Sequence, residues 1–439
     1  MIQSLGASRA FGKRRMWLIG LAAAVILGAL LRLVWVMDME YKGEEAWMFD
    51  RTQRVGQMEP FPWLGMESSV KASNPGMSVW VFLLLAKLFS ARDPTALARS
   101  VQLLNISAIV LLVVFAFRMV IKEEREPWLW AAALVSVNPL AVLFHRKIWP
   151  PSVLPLFTLL MLIGWWRRDR RWGAWTWGLL AVCLGQIHMA AFFLAGGFVI
   201  WAMLFDRERV AWKSWLIGSG LAALPLIPWL QHLFTRLGDR PLSITWSRVF
   251  GFKFWTHWVT EPLGIGLKHA LGQHFKEFLA YPLVGGRPTY LVGLLHLLVI
   301  VVGAVITGRA GYLAWQDRHR WRDLLVGKGS ETTFTVNAAF VGCGVLFTAS
   351  ILPFHRHYLI MTFPLMYVWL ANLALVHSGN PSKTLTLGRA LLLALCISES
   401  VRSAGFLYYI HANQGAPRGG YGVAYGAQER SKLLSPRNH

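Results

Sequence analysis

The sequence predicts an all-α polytopic membrane protein of about eleven transmembrane helices, with interfacial helices in its first outer loop. Three observations carry that reading. Of 439 residues, 55% are hydrophobic and only 15% charged, where soluble chains average roughly 25% charged. Mean hydropathy is +0.44. Apolar runs of membrane-spanning length recur along the chain, separated by short clusters of Lys and Arg. The net charge of +22 argues less for nucleic acid than for topology signals and contacts with acidic lipid or phosphate, because the cations form no continuous basic face. Cys183, Cys343 and Cys396 all lie inside apolar segments, so neither a disulfide framework nor a zinc site is indicated.

A helix needs roughly 20 apolar residues to cross the hydrocarbon core, and cytoplasmic loops are enriched in Lys and Arg. Residues 1–15, with Lys13-Arg14-Arg15, then form a cytoplasmic N-terminus, and 16–406 form the membrane domain. Helix 1 (about 16 to 37) is too long for a signal-peptide core and no small-residue cleavage site follows it. It leads out into a long loop, about 38–96. Within that loop, Pro75–Ser90 is apolar but short. If it crossed the membrane, Arg167–Arg171, Asp206–Arg209 and Asp317–Arg322 would all lie outside, so it is placed as an interfacial or re-entrant helix.

Helix 2 (about 97 to 120) returns inward and helix 3 (about 128 to 144) comes back out. Helices 4 (about 152 to 166), 5 (174 to 190), 6 (191 to 205) and 7 (214 to 232) follow. A second outer loop, about 233–288, holds Trp246, Trp255, Trp258, His257, His269, His274 and Arg287, a composition suited to helices lying at the interface. Helices 8 (about 290 to 308), 9 (333 to 352), 10 (359 to 377) and 11 (386 to 406) complete the bundle. Residues 407–439, with Gly415, Gly419, Gly420, Gly422 and Gly426, are expected as an outward-facing, locally flexible tail.

The outer face collects the residues that can carry chemistry. Five acids, Asp38, Glu40, Glu44, Glu45 and Asp50, stand just past helix 1, where an acid beside lipid is costly unless paired or facing water. Cations return to the same face at His145-Arg146-Lys147, His188 and His355-Arg356-His357. Basic residues there run against the positive-inside trend. A phosphate leaving group at the outer leaflet supplies a reason for them, since Arg binds phosphate oxygens bidentately and Lys or His adds charge or donors. The alternatives are snorkelling to headgroups and pairing with the first-loop acids. For His188 the alternative is a satisfied core histidine. No zinc-binding His-Glu-x-x-His, phosphate loop or nucleophile elbow is present, which argues against ATP-driven and serine-hydrolase chemistry. An acid near a cationic pocket suits transfer of a group from a lipid phosphate to a hydroxyl or amine.

This layout resembles the C-type glycosyltransferases that use polyprenyl-phosphate sugars, specifically bacterial relatives of protein O-mannosyltransferases and of the transferases that add aminoarabinose to lipid A. The resemblance rests on Gly43-Glu44-Glu45-Ala46 after helix 1, Gly65 with Asn74-Pro75-Gly76 before a short apolar helix, Arg99, Phe144-His145-Arg146-Lys147-Ile148-Trp149, and Gly185-Gln186-Ile187-His188. It implies that Glu44 is the catalytic base. Glu stands here where the family has Asp, so either the pocket is adjusted to a side chain one methylene longer or Glu45 shares the role. No acid closely follows Arg146, which makes a protein O-mannosyltransferase proper the less favoured relative. Arg146, Lys147 and Arg356 are the expected phosphate ligands, with His145, His188 and His355 as supporting donors. The resemblance further implies inversion at the anomeric carbon, no bound cofactor, and a bacterial inner membrane with the site facing the periplasm. A divalent metal, used by some relatives, is not indicated. The rival function is a lipid or oligosaccharide transporter, although no paired halves are visible.

Overall fold

The computed structural model describes residues 2–67, 73–239, 251–350, 354–376 and 381–434. Helix α1 (Ile2–Leu33) is followed by a single 3-10 turn, Val36–Asp38, and by α2 (Gly43–Arg54). The first turn of α2 holds Glu44 and Glu45, where exposed backbone N–H groups favour negative charge. Glu45 accepts from the backbone N–H of Lys42 at 3.0 Å, which secures the helix start. A small hairpin, β1 (Leu64–Glu67) with β2 (Ser73–Pro75), precedes α3 (Met77–Leu88). A 12-residue helix covers about 18 Å, short of the roughly 30 Å hydrocarbon core. It packs on α2, and on α4 (Pro94–Arg118). Asp93 caps α4 by accepting from Ala96 N–H at 3.0 Å.

The expected helix 3 is two helices, α5 (Arg125–Val137) and α6 (Pro139–Phe144). Pro139 cannot donate to the α5 ladder and pushes Asn138 into an extended conformation. Asn138 then caps α6, its side-chain oxygen accepting from Leu140 and Ala141 at 3.0 Å each. This break turns His145-Arg146-Lys147 back beneath the end of α1. Helices α7 (Pro150–Trp166), α8 (Arg171–Ile187), α9 (Ala191–Phe205), α10 (Trp212–Ala223) and α11 (Ile227–Asp239) follow. The segment expected as a second outer loop contributes α12 (Lys253–Thr260), α13 (Leu267–Leu271), α14 (Phe275–Leu279) and the hairpin β3 (Leu283–Val284) with β4 (Arg287–Pro288). Trp246 lies outside the described residues.

The chain continues through α15 (Leu291–Gln316), α16 (Trp321–Val326) and α17 (Glu331–Asn337), which passes through a π-helical stretch, Ala338–Cys343, into α18 (Gly344–Ala349). A 3-10 segment, Arg356–Thr362, meets α19 (Leu365–Leu375) at 80°. Helix α20 (Pro381–Asn413), a hairpin of β5 (Gly415–Ala416) with β6 (Gly422–Val423), and α21 (Tyr425–Leu434) end the described chain.

Among the described residues, five helical stretches are long and apolar enough to cross a membrane, Pro94–Arg118, Trp212–Thr235, Leu291–Gln316, Glu331–Ala349 and Leu385–Asn413, or six with the bent pair. They correspond to expected helices 2, 7, 8, 9 and 11. The runs Trp17–Leu33, Pro150–Trp166 and Ala191–Phe205 are apolar but shorter, so length and composition do not reach eleven. Leu294, Leu297, Val301 and Val305 on α15, and Leu216, Ile217 and Leu221 on α10, stand exposed, an apolar surface of the kind that faces lipid. At one end of the bundle, Arg168 is buried between Asp206 (2.6 Å) and Glu331, while Arg209 reaches Glu331 at 2.8 Å. The clusters around residues 168 and 206–209 therefore lie on the same side, as the charge pattern requires.

The C-terminal segment is not the loose tail expected from its glycines. Tyr421 hydroxyl donates to the Asp38 carbonyl, Tyr425 N–H donates to Met39 O at 3.1 Å, and Glu40 forms a β-bridge with Ala424. Glycine here permits close backbone approach rather than disorder.

Candidate active site

Two groups of polar residues meet beyond the ends of α1 and α6. In the first, Lys147 Nζ lies 3.0 Å from Glu40 Oε1 and 3.1 Å from Glu45 Oε1, and Lys42 also contacts Glu40. Glu40 and Glu45 are 6% and 2% exposed, so the carboxylates are desolvated and depend on their cations. Burial alone would lower the Lys147 pKa, but the two carboxylates outweigh it and hold the ammonium above its ordinary range. The ammonium also sits 4.4 Å over the Trp149 ring. Glu44, next in sequence, is exposed and makes no hydrogen bond or ion pair with another described residue.

In the second group, the start of α12, the α13 region and the turn after α18 enclose an open cavity of about 710 Å³ lined by Phe252, Lys253, Thr256, His257, His269 and Phe354–His357. Amphipathic α12 builds its floor: Phe254 and Trp258 are buried while Lys253 and His257 face the cavity. Burial, with Arg356 and Lys253 nearby, lowers the pKa of His257. Burial and Lys253 lower that of His355, and burial with Arg356 that of His269. Positive charge at neutral pH therefore rests mainly on Lys253 and Arg356.

A narrow slot of about 30 Å³, lined by apolar residues including Leu140, Phe144, Leu359 and Met366, adjoins this cavity and shares Arg356 with it. Glu261 lines the slot too, and burial pushes its carboxyl up to about 7, opposed by Arg356. Trp149 bridges the two groups, its ring 4.7 Å from that of His357, and Arg356 feels the charge of Glu40.

The sequence-derived residues divide accordingly. Lys147 and Glu45 form one buried pair, and His355 and Arg356 line the cavity. His188 stands edge-on to His357 and Tyr358, at 6.1 and 5.1 Å. Arg146 is held elsewhere, and His145, although it lines the slot, is engaged by the fold. His145 Nδ1 accepts from Arg32 Nε at 3.1 Å in the interior, and Arg146 donates to the carbonyls of Leu31 and Trp35, both at 2.8 Å. The Trp35 carbonyl also accepts from the Asp38 N–H at 2.9 Å, so the guanidinium ties this turn to the end of α1; it lines neither the cavity nor the slot. Lys253 and Glu261 join the site without having been singled out by sequence, and Glu40 and His357, noted there only as members of the acidic and basic clusters, take places in it. Amphipathicity of 253–260 could have marked Lys253, whereas nothing local marks Glu261. Among the described residues no cluster of three or more His, Cys, Asp or Glu has the arrangement of a metal site.

No protein-family model matches the chain, and no curated protein matches it. Among solved structures, the chain is similar to the crystal structure of the Archaeoglobus fulgidus oligosaccharyltransferase tethered to an acceptor peptide containing the NVT sequon. Identity is 12%, covering 97% of this chain and 58% of that one, with a TM-score of 0.47. For the apo form of the same oligosaccharyltransferase the identity is 13%, over 95% and 60% of the two chains, with a TM-score of 0.44. The chain thus spans less than two thirds of the length of the solved protein it resembles.

Proposed function

We propose that this chain is a membrane glycosyltransferase that moves a sugar from a polyprenyl-phosphate donor to an acceptor at the outer face of a bacterial inner membrane. The observation that carries the reading is the cavity–slot pair: a cationic, histidine-rich cavity and an apolar slot share one guanidinium, that of Arg356. An anionic head fits the cavity, where Arg recognises phosphate oxygens through paired N–H donors; the slot, at about 30 Å³, holds no prenyl unit and supplies Arg356 only with apolar surroundings. Lys253, His257, His355 and His357 supply further donors around the head.

In this reading Glu44 is the base. It stands exposed at the N-terminus of α2 with its carboxylate unengaged, while Glu45 is committed to Lys147 and to the Lys42 N–H and so holds the helix start in place. The acceptor proton passes to Glu44 as the acceptor oxygen or nitrogen attacks the anomeric carbon, and the carbon–oxygen bond to phosphate breaks with inversion. Arg356 and Lys253 stabilise the charge that grows on the departing phosphate.

The 80° break between Arg356–Thr362 and Leu365–Leu375 favours the second reading, transport, because discontinuous helices recur in transporters. One assay separates them. Purified protein in proteoliposomes is given radiolabelled polyprenyl-phosphate sugar and membrane extract, and free polyprenyl phosphate is measured. Release that falls at least a hundredfold in Glu44→Gln supports transfer; movement of intact donor across the bilayer without release supports transport. Full activity in both Glu44→Gln and Arg356→Ala would refute the site.

A further inference from the structure

The C-terminal segment joins the loop that carries Glu44 to the wall of the cationic cavity through two consecutive residues. On the cavity side, Gly420 N–H donates to the carbonyl of His269 at 3.2 Å and Tyr421 N–H to that of Ala270 at 2.7 Å. His269 itself lines the cavity. On the acid side, the Gly420 carbonyl accepts from Lys42 Nζ, and the Tyr421 hydroxyl donates to the Asp38 carbonyl. Lys42 immediately precedes α2 and stands two positions before Glu44; its own N–H is the one that Glu45 accepts. Each of the two residues therefore holds the cavity wall with one hydrogen bond and the acid loop with another.

Neighbouring contacts fix the length of this tie. Tyr425 N–H reaches Met39 O at 3.1 Å, Glu40 pairs with Ala424, and Gln428 Nε2 donates to Tyr41 O at 2.8 Å. Toward the cavity, the chain at Gly419 lies directly on the backbone of α13: a Cβ there would stand 2.4 Å from both the carbonyl carbon and oxygen of Leu271, a closeness that glycine permits. The hairpin pairs Gly415 with Val423 and Ala416 with Gly422, so the segment cannot lengthen without breaking its own ladder. Tyr421 is 3% exposed, and its hydrogen bonds gain strength from the low local dielectric. The Glu44 carboxylate, by contrast, engages no other described residue. Its place relative to the cavity is therefore set by backbone, and transfer requires base and reacting atoms to be held to a fraction of an ångström.

Resting on the transfer reading, in which Glu44 is the base, we propose that Gly420 and Tyr421 are positioning residues that hold Glu44 in register with the donor bound in the cavity. No bond or proton changes hands at either residue; both act through the backbone of residues 38–44. Turnover then depends on the Tyr421 hydroxyl, whereas donor binding, which rests on Arg356 and Lys253, does not.

The test combines release of polyprenyl phosphate from radiolabelled donor by the full chain in proteoliposomes with hydrogen exchange in detergent. Tyr421→Phe removes the bond to Asp38 but keeps the buried ring, so the variant should melt within about 3 °C of wild type. Amides of residues 38–46 should exchange at least about fivefold faster in it, because the loop loses one of its ties. Its kcat should fall about tenfold with the donor KM within about twofold of wild type, since a misplacement of about 1 Å can cost up to about a hundredfold. Gly419→Ala pries the other end of the tie from α13 and should raise the same exchange and lower kcat, which keeps the proposal testable if Tyr421→Phe folds poorly. In a Glu44→Gln background Tyr421→Phe should cost less than about twofold further, because residues acting through one group are not additive. A merely structural role would lower the melting temperature and leave the kcat of folded protein unchanged. Full kcat in both variants, a change confined to KM, or an undiminished further loss in the Glu44→Gln background overturns the proposal while leaving transfer itself standing. If the wild type releases no polyprenyl phosphate, the transfer reading fails, and the proposal with it.

Discussion

Lys147→Met gives the sharpest test of how the acidic loop is held. Methionine keeps most of the side-chain volume and the contact with Trp149 but removes the ammonium that lies 3.0 and 3.1 Å from Glu40 and Glu45. Both carboxylates are nearly inaccessible to water. Lys42 still contacts Glu40, so the uncompensated charge falls mainly on Glu45. Breaking a buried pair by removing one partner costs about 3–5 kcal/mol, because the remaining charge stays desolvated. In a chain of this size that lowers the melting temperature by several degrees, on the order of 5 °C. The carboxylate left behind is expected to titrate upward, so acidification should restore part of the loss by neutralising it. Thermal unfolding in detergent at pH 5 and pH 8, for Lys147→Met and for Lys147→Met combined with Glu45→Gln, measures this. The single variant should lose most stability at pH 8, and the double variant should recover at least half of it. A single variant that melts within a degree of wild type at pH 8 would refute the argument that Lys147 neutralises these acids.

Arg146→Ala should act through the fold. It removes two hydrogen bonds to carbonyls at the end of α1, at about 1.5–3 kcal/mol for each charged bond, and should lower the melting temperature while leaving the KM for donor unchanged; a large rise in KM at unaltered stability would restore it to the phosphate site. Glu261 should make stability depend on pH: its folded pKa is raised from 4.5 to about 7, so its contribution is complete below pH 4.5 and is lost as pH rises through 7. The difference is about 3 kcal/mol, and Glu261→Gln should flatten the melting temperature between pH 5 and pH 8.

Much of the architecture is legible in the residues taken singly. Apolar runs of sufficient length can only be helices in lipid, since every backbone donor and acceptor must be paired within the segment, and the spans over 94–118, 212–235, 291–316 and 385–413 follow from that rule. The clustering of acids after α1 and of cations at 145–147 and 355–357 is likewise visible in the chain. Residue type also marked Lys147 and Glu45 as chemically unusual, and the structure pairs them with each other.

What charge and spacing could not decide is the direction in which each side chain points. His145, Arg146 and Lys147 are consecutive, yet the short turn after α6 sends the first to Arg32, the second to the end of α1 and the third to Glu40 and Glu45. Three adjacent cations thereby acquire three environments, set by elements more than a hundred residues away in sequence. Glu261 is the same case in reverse: an unremarkable acid in an interfacial segment becomes a buried carboxyl only when α12, Arg356 and α19 close around it. Composition and periodicity determine that this chain folds as a helical bundle with charge gathered beyond its helix ends, because hydrophobic burial and backbone pairing act locally. Which of those charges are spent on the fold and which stay free for chemistry is decided by tertiary contacts, because desolvation and pairing depend on what packs against each group in space.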